Sequence, residues 1–190
     1  MGSHLRLKVD PVTTQPKGWM VNPGFGQIYG HHKTPDALFG GLMDSIGWYL
    51  SGYADGEGCF CVSFSKSKRH RFGWDIRPSF SVSQNSDRME LLYLFQKQFR
   101  CGSIRPDRSD KTFKFETRSV SELAHKVVPH FEKFPLLSSK HKDFELFACI
   151  CLMMKHGEHL TRKGFNKVVE LAHQMNPSGK RKYSPEEMMI

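Results

Sequence analysis

The residues with the most specific chemistry lie in one run, Leu50-Ser51-Gly52-Tyr53-Ala54-Asp55-Gly56-Glu57-Gly58. A helical stretch leads into it, and Gly56 and Gly58 permit a sharp turn around an acidic side chain. A lone acid just past a helix is usually a solvated turn residue. Here, however, Gly47, Ser51 and Gly52 put small residues on successive turns, which lets a second helix approach closely. If two such helices pack as a symmetric pair, two carboxylates converge. Hard oxygen ligands brought together in this way suit Mg2+-dependent phosphodiester hydrolysis.

The elements that must hold this run are read from the hydrophobic period. Leu42 to Tyr53 is apolar and helix-length, with Asp44 as the expected N-cap and Gly56-Glu57-Gly58 as the stop. From Cys59 the period becomes two: Phe60, Val62 and Phe64 share one side, and Cys61, Ser63 and Ser65 the other. A basic tip follows, carrying Lys66, Ser67, Lys68, Arg69 and Arg71. The return strand places Ile76, Pro78, Phe80 and Val82 opposite Asp75, Arg77, Ser79 and Ser81. Ser86 to Phe99 reads as an amphipathic helix. A second hairpin, 104–108 with 112–117, turns around Ser109-Asp110; Ile104, Phe113 and Phe115 oppose Arg105, Thr112, Lys114 and Glu116.

Ser119-x-x-Glu122 is a capping box opening a helix to about Phe134, and further helices are expected over 138–156 and 162–175. The order is helix, two strands, helix, two strands, helices, which defines an α+β unit. Its antiparallel sheet would have helices under the apolar side and an open polar face. The domain reading is an irregular Pro- and Gly-rich arm over 1–40, opening on an apparent tag remnant, then a core over 41–176 and a basic tail over 177–190.

Composition narrows the partner. Lys and Arg number 28 against 19 acids in 190 residues, a formal +9 that favours a polyanion over a neutral ligand. The longest apolar stretch, Phe144 to Met154, is far short of the roughly 20 residues that span a bilayer, so no membrane partner is expected. The five cysteines are odd in number and lack C-x-x-C spacing. They read as reduced thiols of an intracellular protein, organellar or prokaryotic. His31-His32 and His156-x-x-His159 are too few ligands for zinc and read as surface histidines.

The polar face is the expected DNA surface, with Cys61, Ser63, Ser65, Ser67, Asp75, Arg77, Ser79 and Ser81 from the first hairpin and Ser103, Arg105, Thr112 and Lys114 from the second. A two-stranded ribbon fits the major groove, where Arg pairs with guanine and Asp with cytosine. Any half-exposed sheet is polar on its wet side. This one leads away from the helix end that carries Glu57. Lys66, Lys68, Arg69 and Arg71 at the tip, with Lys180 and Lys182 in the tail, suit phosphate contacts.

These residues together resemble the LAGLIDADG homing endonucleases, in their single-motif, homodimeric branch. The resemblance rests on the nonapeptide, on Phe80-Ser81-Val82-Ser83-Gln84-x-x-x-Arg88, and on Lys140-His141-Lys142, and it covers roughly 44–187. It implies an α-β-β-α-β-β-α fold, with Glu57 as metal ligand beside the Gly56 carbonyl and Asp55 as a structural acid. It further implies that Gln84 and Arg88 position solvent and charge near the scissile phosphate. Lys140 would be the basic residue of the pocket, with Lys142 nearby.

The implied activity is Mg2+-dependent double-strand cleavage of a long pseudo-palindromic DNA by a homodimer, leaving 3′ overhangs, as in group I intron homing. Mn2+ would substitute, and Ca2+ would support binding without cleavage. Gly47, Ser51 and Gly52 would form the dimer interface. The rival readings are an intron-RNA maturase and a catalytically inactive DNA-binding regulator.

Overall fold

The computed structural model describes residues 35–107, 111–177, 179 and 181–189. Expectations for residues 1–34, including His31-His32, and for the Ser109-Asp110 turn and Lys180 lie outside them. The chain divides into units 1–38 and 39–190, and the second holds the sheet and its helices.

Helix α1 runs Pro35–Glu57 and passes directly into strand β1, Gly58–Lys66. The helix begins earlier than the apolar run suggested, with Pro35 tolerated in its first turn. Asp44 is therefore inside the helix rather than capping it, and its carboxylate meets Lys133 at 2.8 Å. Gly47, Leu50, Ser51 and Ala54 form the buried stripe at helical spacing, while Trp48, Tyr49, Gly52 and Gly56 stay exposed. The join to β1 needs glycine, because a Cβ at Gly58 would lie 2.5 Å from the Ala54 carbonyl oxygen.

Strand β2, Trp74–Asn85, pairs antiparallel with β1 in the register Phe60 to Phe80 and Ser63 to Arg77. A 3₁₀ turn, Ser86–Arg88, precedes helix α2, Glu90–Phe99. Strands β3, Ser103–Pro106, and β4, Thr112–Thr117, complete a four-stranded sheet in the order β1-β2-β4-β3. The next helix is continuous but uneven: α3 (Val120–Glu122), a π turn (Leu123–Val127) and α4 (Val128–Lys133). The Ser119 half of the capping box forms, whereas Glu122 instead accepts from the Thr117 hydroxyl. Helices α5 (Lys140–Lys155) and α6 (Arg162–Gln174) follow, the first ending at left-handed Gly157.

The core is aromatic. Phe60 lies 5.0 Å from Phe80, 5.3 Å from Phe131, 5.4 Å from Phe144 and 5.3 Å from Phe147, joining sheet, α4 and α5 in one cluster. The basic segment beyond 177 packs back on the core. Arg181 donates to the Ala172 and Met175 carbonyls at the end of α6, Tyr183 packs on Trp74 at 4.7 Å, and Met188 of the short helix α7, Pro185–Met188, is buried.

One buried polar group sets a pH response. His130 is 6% exposed among Phe99, Phe131 and Phe134. The Ser51 hydroxyl donates to the Phe134 carbonyl at 2.7 Å, so its oxygen is left to accept from His130 Nε2 at 3.3 Å. Burial lowers the His130 pKa from 6.5 to about 4. The unfolded chain therefore binds a proton that the fold refuses, and stability falls as pH drops from 6.5 toward 4. The full effect is about 3 kcal/mol. Urea midpoints of the native protein should decline between pH 7 and pH 4.5 more steeply than those of His130→Leu. Parallel declines would contradict this.

Candidate active site

The C-terminal end of α1 gathers the chemistry. Glu57 is its last residue and is exposed, and no hydrogen bond or ion pair to any described residue restrains its carboxylate. Asp55, two residues earlier, is fully engaged. Its Oδ2 accepts from the Leu137 and Ser138 amides at 3.0 and 2.9 Å, and its Oδ1 from the Ser138 hydroxyl. Burial opposes ionisation of Asp55, but the Ser138 hydroxyl, the two amides and the Lys140 charge together hold its carboxyl below the usual range.

Lys140 opens α5 and closes the same corner. Its ammonium donates to the carbonyls of Ala54 at 3.0 Å, Gly56 at 3.3 Å and Gly58 at 2.7 Å. A cation at the C-terminus of α1 also complements the helix dipole. Asp55 and Lys140 thus join the motif to the 135–140 segment from both sides. Asp55→Ala should cost about 2 kcal/mol, because it removes three charge-assisted bonds at a partly solvated site. A urea midpoint unchanged from native would contradict that.

Gln84 and Arg88 approach from β2 and the turn after it. Gln84 is half-buried; its Nε2 donates to the Tyr53 hydroxyl and its Oε1 accepts from the Asn85 amide at 2.7 Å. Arg88 is exposed, and its charge reaches the Tyr53 phenol. Burial raises the Tyr53 pKa first, the Glu57 and Tyr49 charges raise it further, and Arg88 opposes them; the net shift is upward. Lys142 is exposed two residues along α5, about half a turn from Lys140.

The open face of the sheet runs outward from this corner. Its rows are Ser65 with Asp75, Ser63 with Arg77, Cys61 with Ser79, and Cys59 with Ser81, Glu116 and Ser103. Further rows carry Ser83 with Lys114 and Arg105, and Asn85 with Thr112. Its charges are largely paired. Asp75 holds Arg77 at 2.6 Å, Glu116 holds Arg105 at 2.5 Å and Arg118 at 2.9 Å, and Asp107 holds Lys114 at 3.0 Å. Four cations against three carboxylates leave the face nearly balanced.

The rim carries the unbalanced charge. Lys66, Lys68 and Arg69 are exposed at the hairpin tip, and Lys182 lies over the Tyr183 ring at 5.2 Å. Arg71 also lies at the tip, but its guanidinium is tied to the Leu160 carbonyl at 3.1 Å. Ser67 leaves the strand face on which it was placed, since β1 ends at Lys66 and the Ser67 hydroxyl sits 2.9 Å from His70 Nδ1 in the turn.

The LAGLIDADG endonuclease family model matches residues 50–151. The chain belongs to the LAGLIDADG endonucleases.

Probable intron-encoded endonuclease 2 of Neurospora crassa is 29% identical over 150 residues, 77% of this chain. The chain spans 32% of that relative's length. Among solved structures, the homing endonuclease I-TnaI matches at 38% identity with a TM-score of 0.65, over 68% of this chain and 87% of that one. I-SmaMI, bound to an uncleaved DNA target in the presence of calcium ions, matches at 31% identity with a TM-score of 0.67, over 72% of this chain and 46% of that one. The four-stranded sheet with its helices is the fold of LAGLIDADG homing endonucleases.

One feature of the motif helix departs from expectation. Gly47 and Ser51 do not face outward, because their spacing with Leu50 and Ala54 turns them onto the chain's own α4. A methyl at Gly47 would collide with the Phe134 ring, and Ser51 is bonded to Phe134 and His130. The outward small residues are Gly41, Gly52 and Gly56, at each of which an added Cβ meets nothing within 4 Å, together with exposed Ser45.

The donor set suits a hard divalent ion: an unrestrained carboxylate at Glu57 and a carbonyl at Gly56 that already accepts from a cation, the Lys140 ammonium. No cluster of three or more His, Cys, Asp or Glu that could hold a metal occurs among the described residues; Asp55 is bound to Leu137 and Ser138, which leaves Glu57 as the unengaged carboxylate of this corner.

Three side chains without an expected role also lie here: Tyr53 bonds Gln84 at the corner, and Glu116 and Arg118 pair on the polar face. Strand parity already placed Glu116 on the polar face. Tyr53 sits inside the motif one turn before Glu57, but its partner Gln84 is 31 residues away.

Proposed function

We propose that two copies of this chain form a site-specific, Mg2+-dependent double-strand DNA endonuclease of the intron-homing type. The observation that carries this reading is the placement of an unrestrained Glu57 carboxylate at the point where the charge-paired polar sheet face begins. One chain contributes one motif, and the exposed run Gly41, Ser45, Gly52 and Gly56 gives a second α1 room to approach. Trp48 and Tyr49, about half exposed on that helix, would be covered by the same contact.

Within such a dimer each face would read one half-site, so the target would be long and pseudo-palindromic. The near-neutral sheet centre suits contact with base edges, and the basic rim suits phosphates. Glu57 and the Gly56 carbonyl would hold the divalent ion. Bound there, Mg2+ supplies Lewis acidity toward the phosphodiester and acidifies water, with Mn2+ as a substitute. Lys140 would hold positive charge beside the scissile phosphate, Arg88 would stabilise charge developing on it, and Gln84 would orient solvent. Paired cuts across the central minor groove would leave 3′ overhangs. Ca2+ would support binding without cleavage, and the protein would act inside the cell, where its target gene lies.

The test is an end-sequencing assay on genomic DNA rich in rRNA and organellar genes, incubated with the protein in Mg2+ or in Ca2+. Recurrent cuts at one long motif, in Mg2+ alone, are expected. Absence of cuts alongside salt-sensitive binding to a defined DNA, or to structured intron RNA, would replace the nuclease with the regulator or the maturase.

A further inference from the structure

Gln84 is held at both ends of its amide. The oxygen accepts from the Asn85 N–H at 2.7 Å, and the NH2 group donates to the Tyr53 hydroxyl. Tyr53 is itself fixed: its ring lies 6.3 Å from Phe95 of α2, and it is partly buried on α1 one turn before Glu57. Residues four apart on a helix share a face, so the phenol stands on the side of α1 that carries Glu57. The Tyr53 oxygen uses a lone pair for Gln84 and is paired with no other described group.

We propose that Tyr53 is a positioning residue for the cleavage reaction, acting through Gln84. An amide side chain can rotate by half a turn and exchange its donor for its acceptor. With the Asn85 amide on its oxygen and Tyr53 on its nitrogen, only one orientation satisfies both bonds. The NH2 group then keeps a second N–H free at a fixed place. Phenylalanine at position 53 would preserve the packing on Phe95 and leave the amide held at one end only. The proposal rests on the nuclease reading for what Gln84 does, but the hold on Gln84 is a property of the free protein.

The test compares Tyr53→Phe, Gln84→Ala and the double variant. The single-turnover cleavage rate of Tyr53→Phe in Mg2+ should fall about tenfold while Ca2+-supported DNA affinity stays within about twofold of native. The double variant should cut no more slowly than Gln84→Ala. In the metal-free protein, the Gln84 side-chain NH2 resonances, assigned by their loss in Gln84→Ala, should move toward free-amide positions in Tyr53→Phe. Native cleavage by Tyr53→Phe, additive losses in the double variant, or unmoved amide resonances would overturn the proposal. If the native protein cuts no DNA, the nuclease reading fails by itself, and the resonances alone decide whether Tyr53 holds Gln84.

Discussion

Glu57→Gln is expected to lower the single-turnover rate of strand scission by roughly a thousandfold or more, because it removes the carboxylate charge and keeps the side chain's size. The loss should appear in catalysis alone. Glu57 is exposed and partnerless among the described residues, so the thermal midpoint should not move. DNA affinity in metal-free buffer should hold or rise, because an anion facing a phosphate backbone has been neutralised. Gel-resolved cleavage of the selected target, beside filter binding and thermal melting, separates these effects. A variant that cuts at the native rate would remove Glu57 from the mechanism, and one that melts early would make the loss structural.

Phe60→Ala should have the largest effect on stability. Phe60 is 2% exposed and touches four other phenylalanines from β2, α4 and α5, so truncation opens a cavity where the three layers meet. A Phe-to-Ala change at such a site costs about 4 kcal/mol. Because β1 begins at Gly58, the cavity also lies two residues from the turn that presents Glu57. Denaturant unfolding should show a lower midpoint with an unchanged slope, and Phe60→Leu should recover most of the loss. Equal midpoints for Phe60→Ala and the native protein would mean that the aromatic cluster is not the centre of the core.

The strands were legible because alternation leaves little freedom: shifting β1 or β2 by one residue would bury serines and expose Phe60, Val62, Phe80 and Val82. The motif helix was harder to read. Gly47 and Ser51 are small for a reason internal to the chain, the close approach of α4 at Phe134, and smallness alone does not tell that contact from a partner helix. Their spacing with Leu50 and Ala54 was the signal that could have told them apart.

Asp44 looked like a cap because the apolar run starts near it, whereas backbone bonding carries α1 back to Pro35. The tail reads as basic because Lys180, Arg181 and Lys182 dominate it, and Tyr183 and Met188 are the apolar anchors that fold it back. At the site, Asp55 reads as structural on both accounts. Tyr53 could not be assigned, since its hydroxyl finds Gln84 only after β2 has paired with β1 and returned to the end of α1.

Anomalous scattering from Mn2+, in crystals of the protein bound to its selected DNA, locates the metal relative to Glu57 and to the pairing of the α1 helices. A Mn2+ peak ligated by the Glu57 carboxylate and the Gly56 carbonyl is expected at the junction of two α1 helices, beside the scissile phosphates. Cleavage-competent crystals whose Mn2+ lies away from Glu57, or in which α1 meets no second copy, would contradict it.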